Sequence, residues 1–125
     1  MIKEKNEYLK DVMKKILNSY SIIENLSDKA NDLELLEVEV RKINGFFLVL
    51  SKKIVSLGNN LSETKNLEKK ITAYIQNYDF SREINLLIDT YADDNLRVRN
   101  IRDSVLRSLN ENKLIQKIYD MSKNI

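Results

Sequence analysis

Cysteine, histidine, proline and tryptophan are all missing from this 125-residue chain, and glycine occurs only at Gly45 and Gly58. Without cysteine there is no disulfide framework, no thiolate metal site and no cysteine nucleophile. Without histidine the commonest general base and the commonest zinc ligand are gone. A chain with no proline and two glycines has little turn chemistry, so the expected fold class is all-α. The longest apolar run, Phe46 to Leu50, is far short of the roughly 20 residues that span a bilayer, so no membrane span is expected. Met1 to Glu7 is charged and leads into no apolar segment, which predicts no signal peptide and a cytoplasmic protein. The net charge of +2 selects no partner by itself.

What the chain does have is helical periodicity. Leu9, Val12, Ile16, Ser19, Ile23 and Leu26 recur at alternating steps of three and four, on one face of a first helix over 3–26. The pattern is strongest in a second helix, 32–57. There Leu33, Leu36, Val40, Ile43, Phe47, Leu50, Ile54 and Leu57 form an unbroken seam of coiled-coil type, closed by Gly58 as a left-handed cap. Asn31 with Glu34, and Asn60 with Glu63, have capping-box spacing at the starts of helices two and three. Helix three, 61–78, has the seam Leu67, Ile71, Tyr74 and Tyr78. Ser81 is the expected N-cap of a long last helix, 82–123. Its apolar face is Ile84, Leu87, Tyr91, Val98, Ile101 and Val105, resumed by Leu114, Ile115, Ile118, Tyr119 and Met121. Soft points interrupt it near Ala92–Asn95 and Ser108–Asn112. A helix of that length would reach about 60 Å, more than such a bundle needs, so part of it projects, bends or folds back. About four helices joined by short polar turns make one antiparallel bundle domain.

A β-hairpin competes over 36–51. Leu36 to Val40 alternates, Asn44-Gly45 is a favoured hairpin turn, and Phe46 to Leu50 is rich in strand formers. The helix is the preferred reading, because Val40, Ile43, Phe47 and Leu50 keep their phase straight across Asn44-Gly45. A lone hairpin would also have no sheet to join. Gly45 then sits inside a helix at a cost of about 1 kcal/mol against Ala, marking a kink or a close approach.

Helix two has more apolar surface than one seam uses. Leu35, Val38, Phe46, Leu48, Val49 and Val55 lie outside the seam. Such a helix is either the centre of the bundle or one wall of a groove for a partner helix. Acids dominate 24–40 and bases dominate 95–125. That contrast holds the tail onto the acidic turn, or it is a solvated surface. At 100° per residue, Arg97, Arg99, Arg102 and Arg107 spread to about 0°, 200°, 140° and 280°, so no single face tracks phosphates and nucleic acid is not the expected partner. Asp89, Asp93 and Asp94 cluster without EF-hand order, and neither a metal nor another cofactor is expected. With no Ser-x-x-Lys pair, nucleophile elbow or Gly-rich phosphate loop, no catalytic residue is assigned and the chain is read as a non-enzyme.

Three stretches resemble the small bacterial flagellar export chaperones, above all the filament-cap chaperone and more distantly the hook-junction chaperone. Tyr8-Leu9-Lys10-Asp11-Val12-Met13 through Ile23-Glu24-Asn25-Leu26 is similar to the family's first helix. Asp32-Leu33-Glu34-Leu35-Leu36-Glu37-Val38-Glu39-Val40-Arg41-Lys42-Ile43 is similar to the acidic, Leu-rich start of its second. Ile88-Asp89 through Asn95, with Val98 and Ile101, is similar to its long last helix. Gly45 followed by Phe46-Phe47 departs from the family pattern. The resemblance implies a chaperone without a cofactor that holds a helical segment of an export substrate, with a last helix able to cover the binding surface. On that reading Phe46, Phe47, Leu50 and Ile54 pack near the groove, Leu87, Tyr91, Val98 and Ile101 face them, and Leu114–Met121 competes with substrate. Two other classes stay open. One is a helical immunity protein against a bacteriocin or toxin. The other is a self-associating coiled-coil structural or phage protein that forms a homodimer through the Leu33–Leu57 seam.

Overall fold

The computed structural model describes residues 2–26, 30–54, 61–91 and 94–124, with side chains for 7–26, 32–54, 62–90, 94 and 96–123. Every regular element among them is helical. These are α1 (Ile2–Glu24), α2 (Ala30–Lys53), α3 (Leu61–Asn77), α4 (Phe80–Tyr91), α5 (Asn95–Asn110) and α6 (Leu114–Asn124), with a 3-10 turn at Glu111–Lys113. The all-α bundle expected from the sequence is the fold. α2 runs as helix straight through Asn44 and Gly45, so the 36–51 hairpin does not form. Its unbroken three-four phase prevails over the local turn signal. A Cβ at Gly45 would meet nothing within 4 Å, so no close approach requires the glycine. The expected caps Asn31, Gly58 and Asn60, and Leu57 at the end of the seam, lie outside the described side chains.

The helices stack as four antiparallel rods. Lys53 at the end of α2 lies over the Tyr8 ring near the start of α1, 5.0 Å from its centroid. α3 and α4 together run back along α2. Tyr74 meets Phe47 edge-on at 5.2 Å, and seven residues later Ser81 Oγ donates to Glu37 Oε1 at 3.2 Å. α5 runs back along α1. Arg102 Nη1 donates to the Leu26 carbonyl at 2.7 Å, and Asn110 Nδ2 donates to the Tyr20 hydroxyl at 2.6 Å. α6 then packs on α1, α3 and α5.

The expected long last helix, 82–123, is therefore divided, and at the two soft points. Its first part, α4, belongs to the third rod. The chain then reverses, and α5 and α6 make the fourth. Asp94 has extended backbone (φ −93°, ψ 94°), and its side chain accepts from the backbone N–H groups of Leu96 and Arg97, so it starts α5 as an N-cap. At the second break Asn112 (φ 57°) and Lys113 (φ 61°) are both left-handed, which no continuous right-handed helix allows. The α3–α4 break also departs from expectation. Asp79, not Ser81, supplies the cap, its Oδ1 accepting from the Arg82 N–H at 3.3 Å. Ser81 instead ties α4 to α2.

The described part of the α2 seam, Leu33, Leu36, Val40, Ile43, Phe47, Leu50 and Ile54, is at most 1% exposed. α2 touches α1, α3, α4 and α5, so it is the central helix and its seam is filled within one chain. Fully burying each such side chain contributes about 1.5–3 kcal/mol. No helix among the described residues is long and apolar enough to cross a membrane.

Candidate functional site

The residues singled out from the sequence fall into three groups. Phe47, Leu50, Ile54 and Val98 are core, at 2% exposure or less. Phe46, Leu87 and Ile101 are partly buried and pack against that core. Tyr91 ends α4, and its side chain lies outside the described ones. The α2 residues and those of α4 and α5 do converge, because α2 contacts both helices. They converge as a filled interior. The surplus apolar surface of α2 is largely absorbed too: Phe46 and Val49 pack on the core, and only Leu35 and Leu48 stay about half exposed among its described residues.

A second locality emerges where two breaks lie at one level of the bundle. The α3–α4 break contains Tyr78, and the α5–α6 break contains Glu111, Asn112 and Lys113. The Tyr78 hydroxyl donates to Glu111 Oε2 at 2.5 Å and joins the two breaks. On the α1 side, Asn110 Nδ2 donates to both the Tyr20 hydroxyl and the Leu106 carbonyl, at 2.6 and 2.8 Å. The residues before α6 are thus held from two directions. An aromatic run links this level to the core: Phe47 to Tyr74, Tyr74 to Tyr78 at 5.4 Å, and Tyr78 stacked on Phe80 at 5.2 Å.

Tyr78 also stands between two recesses. One, of about 260 Å³, is lined by Lys70, Tyr74, Tyr78, Ser108, Glu111 and Asn112, among others. The other, of about 440 Å³, opens between α2 and the end of α3, against Asn44, Leu48, Ile75 and Asn77. The hydrogen bond to Glu111 pushes the Tyr78 phenol above its ordinary range, and burial pushes Tyr74 up further. Both phenols therefore stay protonated at neutral pH and serve as donors.

Beyond the break, α6 is seated by Leu114, Ile115 and Ile118, all buried. Tyr119 faces outward with the Lys123 ammonium 4.3 Å from its ring centroid. The acidic 24–40 segment and the basic tail meet through Arg102, which binds a backbone carbonyl at the end of α1 and pairs with Asp103 at 3.2 Å. Glu37 and Glu39 pair within α2, with Arg41 and Lys42. Glu39 is buried, and its Oε1 has no hydrogen-bond partner. Of the acidic cluster, Asp94 is used as the α5 cap and Asp93 lies outside the described residues. No group of three or more metal-ligating side chains assembles among the described residues.

Sequence reasoning placed Tyr78 in the seam of helix three and missed the clamp that it forms with Glu111, and that Asn110 forms with Tyr20. One signal pointed to their place: the apolar phase that lapses over Ser108–Asn112 and returns shifted at Leu114. Compared with family models, curated proteins and solved structures, the chain matches none.

Proposed function

We propose that this chain is a non-enzymatic binding protein of the flagellar export chaperone kind, which holds a helical segment of an export substrate where its own α6 now lies. One observation carries the reading. A short amphipathic helix, 11 residues, is docked on α1, α3 and α5 by an apolar stripe and joined to the bundle through a left-handed linker. A seat that accepts one amphipathic helix accepts another with the same spacing of apolar anchors. The α6 seat is the better groove than the Phe46–Ile54 face, because that face is already filled by the chain's own core. Cargo would compete with Leu114, Ile115 and Ile118, and α6 would return when cargo leaves.

The test titrates helical peptides from the terminal segments of flagellar cap and hook-junction proteins against the full chain and against Ile118→Asn. The substitution weakens α6 docking, so the variant should bind at least one peptide more tightly than the parent does. Failure of both chains to bind any of them overturns the proposal. So does capture of a secreted toxin, and not a flagellar protein, from the source cell.

A further inference from the structure

The linker between α5 and α6 is strained in a way that a second copy of the chain can relieve. Glu111–Lys113 is a three-residue connection with two consecutive left-handed residues. Asparagine visits that region readily, but lysine, with a Cβ and no short polar side chain to compensate, does so only at a cost. The strain has a purpose that the apolar phase makes plain. Set Val105 at 0° on a helix turning 100° per residue. Val98 and Leu109 then fall at about 20° and 40°, and Ile101 at about 320°, so α5 buries one narrow face. Continued as unbroken helix, Leu114, Ile118 and Ile115 would fall at about 180°, 220° and 280°, mostly on the far side. All three are buried in the structure. The left-handed pair thus rotates α6 so that its stripe meets its own bundle. Without the pair, α5 and α6 become a single rod whose last turns rotate that stripe away from the bundle, so the apolar seat on α1 and α3 loses its partner.

We infer that α6 exchanges between two copies of this chain. With 111–113 straightened into helix, each copy's α6 fills the other's seat on α1 and α3, giving a reciprocal dimer. The occupant is fixed by complementarity already present, because the surface uncovered on one copy is the one that α6 fits. Short strained hinges are where such exchange begins. Opening also costs the bond from Tyr78 to Glu111 in the hinge and the burial of the α6 stripe, so the exchange is slow and concentration-dependent. The exchange shares the release of α6 with the proposed cargo binding but needs no cargo, so the purified chain alone tests it.

The experiment measures monomer and dimer by sedimentation and light scattering over a wide concentration range, for three full-length chains. They are the parent, Lys113→Gly, and the double substitution Asn112→Ala with Lys113→Ala. Glycine removes the left-handed cost and favours the closed monomer, whereas alanine in place of Asn112 raises that cost and alanine at both positions favours the straight rod. The double substitution should strengthen dimerisation by about tenfold or more, since each dimer straightens two hinges, and Lys113→Gly should weaken it. Circular dichroism checks that helix content is kept; if the double substitution unfolds, Asn112→Ala alone makes the comparison. Equal dimerisation in all three chains, or no dimer in any, overturns the inference. So does a dimer strengthened by Lys113→Gly.

Discussion

The first half of the bundle and the second are built from similar apolar residues on different plans. α1 and α2 are single helices of 23 and 24 residues. The equivalent rods of the second half are each cut, into α3 and α4 of 17 and 12 residues and α5 and α6 of 16 and 11. The difference follows apolar phase. In α2 the seam never lapses, so helix continues even through Gly45. In the second half the α5–α6 cut falls where the phase lapses over Ser108 and Asn112, and the α3–α4 cut falls where Asp79 caps a new helix through the Arg82 N–H. Helices of one dozen residues are marginal alone and depend on the surface they pack against. Local opening is therefore expected in the second half, with α6, the shortest helix there, the first to leave.

The sharpest way to break that comparison is to remove volume from each half. Phe47→Ala takes a ring from the central helix and its edge contact with Tyr74, and should cost about 3–5 kcal/mol by denaturant unfolding. Ile118→Ala should cost about 2–5 kcal/mol where the whole fold must open. Hydrogen exchange should show most of its effect as faster exchange in α6 and 111–113, with α1 and α2 still protected. Uniform acceleration in both variants would mean that the two halves open as one.

Alkaline pH separates the tyrosine of the core from the tyrosine of the break. Burial holds the Tyr74 hydroxyl well above its ordinary value near 10. Below about pH 10 both the folded and the unfolded chain keep that proton. Above it the unfolded chain loses the proton and the folded chain does not, so stability falls as pH rises. Tyr74→Phe should flatten most of that fall in unfolding curves followed from neutral to high pH. Tyr78 is shifted the same way by its bond to Glu111, so a smaller slope remains until it too is replaced by phenylalanine.

Much of this was legible from residue spacing. The all-α class, the continuity of α2 and the positions of the two soft points all follow from where the three-four phase holds and where it lapses. What spacing could not supply was direction. Phase lapse at 92–95 marks a break, but whether the chain bends, reverses or projects depends on which face the next helix must bury. That is a tertiary fact. For the same reason Phe47, Leu50, Ile54 and Val98 read equally well as groove or as core; exposure on folding decides, and they are core. The clamp was invisible because Tyr20, Asn110 and Glu111 share no period with Tyr78, which the spacing assigns to the α3 seam, and only the superposition of two breaks at one level brings them together.

A smaller effect tests whether the second half relies on local caps. Asp94 holds the first turn of α5 through two backbone N–H groups and Arg97 Nε, at 3.1–3.2 Å. Asp94→Ala should cost about 0.5–2 kcal/mol in thermal or denaturant unfolding, as N-cap losses do. An equal loss at Asp11, an exposed position in α1 that pairs with Lys15 at 3.2 Å, is not expected, because exposed pairs of that spacing contribute about 0.3–0.5 kcal/mol.

The smallest effect has the opposite sign. Gly45 lies exposed in the middle of α2, in ordinary helical backbone with room for a side chain. Nothing in the isolated chain uses its freedom, so Gly45→Ala should raise stability by about 0.5–1 kcal/mol, through helix propensity and a less free unfolded chain. The gain should be visible as a later denaturation midpoint with unchanged slope. If the continuous half draws its stability from packing along one seam, the substitution adds to that stability without altering which helix opens first. Hydrogen exchange in α6 should then be the same in both chains. Coupled slowing there would mean that rigidity in α2 reaches the linker through the run Phe47, Tyr74 and Tyr78, and that the two halves are less separate than their helix lengths imply.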